Sequence, residues 1–410
     1  MHTLTHREYI MKSAVAANMN MIRVWGGGLY QPDQFYDLAD AMGIMVWQEI
    51  MLACALYPTS TDMINEISME VSYQVNRLGS HPSIVIWGGN NENEVALGWF
   101  PESNTNRDLY VSDYSKLYNT IYNIIIAIDG TQRPWVDSSP SNGLLSTDPY
   151  AKKWGAASTE TAGDVHFYNY DMDYSLYPKA RFVSEFGFQS MPSFLTYQPV
   201  TSEVDGDWDP NSDLLLYRQR HEGGNEQMQV QMERHFKLPL DTDTCIDLSH
   251  ATYFDNYLYL NQIQQSRCYE VAFNRWRQLQ SDSNVHTMGI LYWQLNDIWQ
   301  GPSWSSMEWS GRWKPLQYTT RRVFAPIAVS FSGLTDTTDT TVTDTTDSES
   351  EPLSMSITGW VSNNEIHDVK VSGLTLYIKN WDGSNTNSGN SGSSGNSDTP
   401  TDRVCNCRNW

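Results

Sequence analysis

The chain has 410 residues and a formal net charge of −22, and 40 % of its residues are hydrophobic. That length and apolar content suit one large domain with a smaller one, and the acidic balance excludes a nucleic-acid binder, because phosphates would be repelled. No stretch reaches the roughly 18 consecutive apolar residues that cross a bilayer, so no membrane partner is expected.

The aromatic content is high, with 16 Trp and 23 Tyr. Aromatics dominate cores, and they also stack on the apolar C–H faces of sugars; composition leaves both uses open. Five cysteines, Cys54, Cys245, Cys268, Cys405 and Cys407, form neither a metal-ligand pattern nor a disulfide framework. Met1 to Tyr9 is polar and does not read as a signal peptide.

In chain order, Arg7 to Asn18 reads as a helix with Ile10, Ala14 and Val15 on one face. Met21 to Trp25 reads as a strand. Helix Gln34 to Met42 precedes strand Ile44 to Gln48, and helix Ile64 to Leu78 precedes strand Ser83 to Trp87. Helix Asp113 to Asp129 leads to a short strand, Pro134 to Val136. Further strands are Asp164 to Phe167 and Arg181 to Ser184. A long helix, about Tyr257 to Ser281, precedes the strand Met288 to Trp293.

Alternating strands and helices with continuous apolar strands imply a parallel sheet covered on both faces. Seven such strands are present, and the series starts with a helix. A (β/α)8 barrel needs one more, so the expected α/β fold is a TIM barrel lacking its first strand, over residues 1–328. A doubly wound open sheet is the alternative, but no glycine-rich phosphate loop follows any strand. Residues 329–351 form a Thr/Asp-rich linker by composition. In 352–382, the segments Leu353 to Trp360 and His367 to Trp381 alternate apolar and polar residues as strands do. This gives a truncated all-β segment. Residues 383–410 are a low-complexity tail.

Barrel enzymes place catalytic groups at the C-terminal ends of strands, and two carboxylates fall there. Glu92 lies in Trp87-Gly-Gly-Asn-Asn-Glu-Asn-Glu94, and Glu185 lies in Val183-Ser-Glu-Phe-Gly187. With one strand ahead of the series these are strands four and seven, which face each other across a barrel mouth. A retaining glycosidase needs such a pair about 5–5.5 Å apart, one as proton donor and one as nucleophile. A carboxylate among apolar residues needs a partner, and Arg23 at the end of an earlier strand is the natural one, keeping Glu185 ionised. Glu92 must be protonated at rest, which the charge of Glu185 favours. Taken singly, Glu185 also suits a loop-bonding role, and Glu92 or Glu94 a helix-capping one.

The pattern Trp87-x-x-x-Asn91-Glu92 with Ser184-Glu-Phe-Gly187 resembles the two signatures of glycoside hydrolase family 2. Longer stretches look more like the β-mannosidases of that family. They include Arg23-Val-Trp-Gly-Gly-Gly-Leu-Tyr30, Ala53-Cys-Ala-Leu-Tyr-Pro58, Gly163-Asp-Val-His166, His221-Glu-Gly-Gly-Asn225 and Tyr292-Trp-Gln-Leu-Asn-Asp-Ile-Trp299. The likeness covers about residues 7 to 328 and is nearest to the animal, lysosomal members. It implies retaining hydrolysis of terminal β-mannosides, with Glu92 as acid/base and Glu185 as nucleophile. It implies that Asn91 bonds the axial 2-hydroxyl, that Trp293 is a stacking platform, and that Arg23, Trp25, His166 and Tyr168 line the pocket. No metal or cofactor is implied, the partner is a β-mannoside oligosaccharide, and an oligomeric state is not indicated. An immunoglobulin-like character for the C-terminal β segment and a lysosomal location are implied in the same way.

The sequence departs from that pattern. The N-terminal sugar-binding and immunoglobulin-like domains of the family do not precede the barrel region here. Tryptophans expected around Asp171 to Ser175 are missing, and Met191 stands where Trp is expected; both positions are expected to shape the pocket beside Glu185. Glu49 is a third carboxylate at the mouth, with a structural role favoured. A β-galactosidase or β-glucuronidase, a non-catalytic sugar-binding chain and a soluble acidic interaction protein are the competing readings, and only the last leaves both glutamate motifs unexplained.

Overall fold

A computed structural model describes residues 4–130, 133–147, 149–170, 176–238, 250–336 and 355–364. The chain divides into two compact units, Met1–Ala325 and Pro326–Trp410.

The first unit is α/β. Four strands, β1 (Met21–Val24), β2 (Met45–Glu49), β3 (Ile84–Gly88) and β4 (Trp135–Val136), form one parallel sheet in that order. The register pairs Arg23 with Trp47, Trp47 with Ile86, and Trp87 with Trp135. After a short hairpin of β5 (Leu144–Thr147) and β6 (Tyr150–Lys152), a second parallel sheet holds β7 (Val165–Phe167), β8 (Phe182–Phe186) and β9 (Gly289–Ile290). Within each sheet, consecutive parallel strands are neighbours. Parallel pairing requires a crossover between strands, and helices supply most of the crossovers here.

Each sheet has its own core. The first packs under α1 (Leu4–Ala16), α2 (Asp33–Met42), α3 (Thr61–Leu78) and α4 (Arg107–Asp129). In α3 the buried residues Ile67, Val71, Val75 and Leu78 recur at helical spacing, and Tyr114, Leu117, Tyr118, Ile121 and Ile125 do so in α4. They meet Val46, Ile84 and Trp87 of the sheet. Each such buried side chain contributes about 1.5–3 kcal/mol. The second sheet packs under the 30-residue helix α5 (His250–Leu279), where Tyr269, Phe273 and Trp276 cover Val183 and Phe186.

The two sheets meet toward their C-terminal ends, where Arg23 of β1 reaches Glu185 of β8, and again deeper in the fold, where the rings of Trp47 and of Phe182 at the start of β8 lie 5.8 Å apart. Among the described residues no ladder joins β9 to β1. A cavity of about 380 Å³ lies between them, lined by Met21, Ile22 and Arg23 on one side and Gly289, Ile290 and Leu291 on the other.

Several elements differ in extent from the sequence expectation. Helix α3 starts at Thr61 rather than Ile64 because Ser60 accepts a hydrogen bond from the Met63 amide, a capping contact that precedes the apolar periodicity. Helix α4 starts at Arg107, six residues before the expected Asp113. Strand β9 covers Gly289–Ile290, not Met288 to Trp293; the Leu291 and Trp293 amides still bond Val183 and Phe186. Met191, expected beside the pocket, is instead buried in a third apolar cluster with Tyr197, Leu215 and Phe254, its amide bonded to Asn261.

In the second unit, β10 (Ile327–Asp336) pairs antiparallel with β11 (Met355–Asn363). The expected linker from 329 therefore does not begin there: alternating Ile327, Val329 and Phe331 continue a strand to Asp336. The rest of the linker, the expected strand from His367, the tail, and Asp171 to Ser175 lie outside the described residues.

Candidate active site

Arg23 is the centre of the site. It stands one residue before the end of β1, and its guanidinium is buried. Nη1 donates to Glu185 Oε2 at 2.5 Å, Nη2 to Asn91 Oδ1 at 2.6 Å, and Nε to Glu49 Oε1 at 2.9 Å. The planar fork thus ties three strand ends together, which a lysine's single ammonium could not do. Glu49 is completed by the Gly26 amide at 2.7 Å, so both its oxygens are committed to holding Arg23 and its loop. That is the structural role favoured for it.

Glu185 is buried at the end of β8. Oε1 accepts from the Tyr168 hydroxyl at 2.7 Å. Burial by itself would raise the carboxyl's pKa. The charges of His166 and Arg23, with hydrogen bonds from Tyr168 and Arg23, outweigh that and hold it below its ordinary value of 4.5. Tyr168 is pushed the other way, by burial and then by Glu185, so it keeps its proton and remains a donor.

Glu92 lies past β3 on a residue with φ of 61°, a left-handed conformation that costs a non-glycine residue about 1 kcal/mol or more. The loop is held by backbone bonds to Ser139 on both sides of it: Ser139 N to Asn90 O, and Glu92 N to Ser139 O. Oε1 of Glu92 lies 2.7 Å from His166 Nδ1. One carboxylate oxygen each of Glu92 and Glu185 and one nitrogen of His166 lie within 4.8 Å of one another. Three such donors could geometrically hold a cation, but the short approach of the two carboxyls serves equally well to bracket a glycosidic bond.

All eight sequence-predicted site residues converge. Trp25, past β1, and Trp293, past β9, form an edge-to-face pair with ring centres 4.9 Å apart, which gives one wall of the site an aromatic lining. Asn91 is buried, with its carbonyl taken by Arg23 and its amide facing the Cys54 sulfur at 3.3 Å. Three residues escaped sequence reasoning. Cys54 places its sulfur 3.6 Å from Glu92 Oε2. Ser139 and Asp164 stand behind His166. Asp164 and Cys54 lie in stretches already singled out; Ser139 follows β4 with no sequence signal of its own. Glu94, by contrast, turns away from Glu92 to an ion pair with Lys152 at 2.5 Å. Burial, and next the charge of Lys152 opposing it, leave the Glu94 carboxyl pushed up to about 7.

The Cys54 thiol is pushed up to about 11, first by desolvation and then by the Glu92 carboxylate. Its alkylation by iodoacetamide, followed by peptide mapping, is therefore expected to be slow at pH 7 and to quicken about tenfold per pH unit as the thiolate forms. Fast labelling at pH 7 with no pH dependence would contradict this environment.

Two carboxyls brought close together at strand ends are what the hydrolysis of a glycosidic bond requires. More particularly, the chain's relatives are β-mannosidases. It is 46 % identical over 335 residues to the β-mannosidase of Mus musculus and 47 % identical over 334 residues to that of Bos taurus, covering 78 % of this chain and 36 % of each relative. The crystal structure of a β-D-mannosidase from Dictyoglomus thermophilum superposes with a TM-score of 0.65 at 30 % identity, covering 81 % of this chain and 38 % of that one. The chain thus spans about a third of the length of the curated relatives it matches. No protein-family model matches it.

Proposed function

We propose that this chain carries the catalytic region of a retaining exo-β-mannosidase of glycoside hydrolase family 2, releasing terminal non-reducing β-D-mannose from oligosaccharides. The observation that supports the reaction type is that one oxygen each of Glu92 and Glu185 lie within 4.8 Å of one another, an approach that suits the carboxyl pair of a retaining enzyme, about 5–5.5 Å apart. The choice of sugar rests on the relatives' names.

In this reading Glu185, ionised by Arg23 and Tyr168, attacks the anomeric carbon while Glu92 gives its proton to the departing glycosidic oxygen. The mannosyl–Glu185 ester forms as the glycosidic bond breaks. Glu92, now a carboxylate, takes a proton from water, which attacks the same carbon and releases Glu185; two inversions retain configuration. The Asn91 amide, whose present partner is only a thiol sulfur, is the donor for the axial 2-hydroxyl. Trp293 stacks on the apolar face of the ring with Trp25 set edge-on beside it, and His166 and Tyr168 orient the two carboxyls. The chemistry requires water and two carboxyls, with no cofactor or metal.

The same reading extends to the fold. Seven parallel strands in sequential order, with carboxylates at C-terminal strand ends, suit a (β/α)8 barrel without its first strand, the β9–β1 cavity occupying the vacant position. The β10–β11 pair suits part of an immunoglobulin-like β segment. Likeness to animal members supports a lysosomal location. Among the described residues no helix is long and apolar enough to cross a membrane.

The test is hydrolysis of an aryl β-mannoside beside the β-galactoside and β-glucoside by the whole chain. Selective cleavage of the mannoside is expected. Preference for either other sugar would move the assignment to a sister activity, and binding of β-mannose by a folded chain without cleavage would make it a sugar-binding protein.

A further inference from the structure

The Asp164 carboxylate touches neither Glu92 nor Glu185, yet is bonded toward both. It is buried at the start of β7. Oδ2 accepts from the Ser139 hydroxyl at 2.7 Å and from the Ser184 hydroxyl at 2.6 Å, and Oδ1 accepts from the Ser141 amide at 2.8 Å. Ser184 directly precedes Glu185. Ser139 lies 3.0 Å from His166 Nε2, and Nδ1 of the same ring faces Glu92. Gly163 makes the placement possible: a Cβ there would fall 1.7 Å from the Ser141 carbonyl oxygen, so no side chain fits where the chain brings Asp164 against Ser141.

Proton counting gives this cluster a direction. A serine hydroxyl has one proton, and Ser139 gives its proton to the Asp164 carboxylate. Towards His166 it can then only accept, so Nε2 of the ring carries a hydrogen. Nδ1 is left to share a single proton with Glu92 Oε1, 2.7 Å away. We propose that Asp164, acting through Ser139, is a positioning residue that fixes the His166 tautomer and thereby keeps the proton of the acid/base group between Glu92 and His166, while its bond to Ser184 sets the strand end that bears Glu185. This rests on the assignment of Glu92 and Glu185 made above. The groups facing His166 are Glu92, Glu185 at 3.8 Å and Ser139.

Asp164→Asn tests it, because an amide at that position can donate to Ser139. The Ser139 proton then turns to Nε2, which gives up its own hydrogen to solvent; the proton shared with Glu92 settles on Nδ1, and Glu92 is held as a carboxylate with no proton to give. Nitrogen-detected NMR of histidine-labelled whole chain, with the His166 signal identified by its loss in His166→Gln, should show Nε2–H in the native chain and Nδ1–H in the variant. Cleavage of a mannoside with a poor leaving group should fall on the order of 10²-fold, and that of an activated dinitrophenyl mannoside by less than about tenfold, since only the former needs the acid. The alkaline limb of kcat/KM should move to lower pH.

Ser139→Ala, which removes only the relay hydroxyl, should leave the ring distributed over both tautomers and give a leaving-group split smaller than that of Asp164→Asn. A native His166 protonated on Nδ1 alone would overturn the proposal. So would an Asp164→Asn chain that loses both substrates equally with the ring unchanged, which is what a merely structural residue would give. A native chain that cleaves no mannoside would defeat the functional assignment instead, and the NMR comparison would still decide the role of Asp164.

Discussion

Glu185→Ala is expected to abolish mannoside cleavage, by about 10⁴-fold or more, because removing a covalent nucleophile eliminates a step instead of weakening one. That ratio corresponds to about 5.5 kcal/mol of lost transition-state stabilisation. Activated and unactivated aryl mannosides should lose activity alike, in contrast to a change at Glu92, and an external nucleophile such as azide should restore some turnover of the activated substrate with inverted product. A variant keeping a tenth of native activity would mean that Glu185 is not the nucleophile. In the native chain, the acid limb of kcat/KM should lie below the ordinary glutamate value of 4.5, since the folded carboxyl is held below it. An acid limb above that value would contradict the electrostatics of Arg23 and Tyr168.

Arg23→Met should cost stability as well as activity. The guanidinium is nearly enclosed, and its removal leaves Glu49 and Glu185 buried without the cation that bonds them both. Stranding one side of a buried ion pair typically costs about 3–5 kcal/mol. The pH dependence separates this from a packing defect. In the native chain Glu185 has a depressed pKa, so the stability it contributes is present above its unfolded value and is lost as pH falls through the folded one. In Arg23→Met the stranded carboxyls are expected to bind protons more readily folded than unfolded, so acidification should recover stability. Thermal melts at pH 7 and pH 5 check the sign: in the native chain the depressed Glu185 and the raised Glu49 oppose each other on acidification, whereas both stranded carboxyls of the variant gain, so the variant should recover stability relative to the native chain. Equal losses at both pH values would assign the effect to the missing side chain's volume. Arg23→Lys should restore charge but not the three-way fork, and with it little activity.

Much of this was legible in the sequence because strands buried on both faces read as apolar runs and their C-terminal ends are marked by polar residues. Ile84 to Trp87 and Phe182 to Ser184 announced themselves in that way, and Glu92 and Glu185 followed from where those runs stop. Ends of helices were less legible, because capping by Ser60 has no apolar period to reveal it. The hairpin β5–β6 went unread, as its short segments have no alternation strong enough to separate from loop. Least legible were contacts between distant segments. Nothing local to Ser139 says that its backbone holds the Glu92 loop, or that its hydroxyl meets both Asp164 and His166. Cys54 likewise meets Glu92 across 38 residues of sequence.

The division of the parallel strands into two sheets has a bearing on how the site responds to heat. Glu92 stands beyond one sheet and Glu185 ends the other, each over a separate apolar core. Among the described residues no ladder joins the two sheets, either between β4 and β7 or between β9 and β1, so breathing across that cut changes the gap between the two carboxyls directly. Since a displacement of about 1 Å can cost on the order of 10²-fold in rate, turnover should fade over a temperature range in which neither core has melted. A sugar bridging both glutamates would act as a clasp across that cut, drawing the two sheets into one cooperative body.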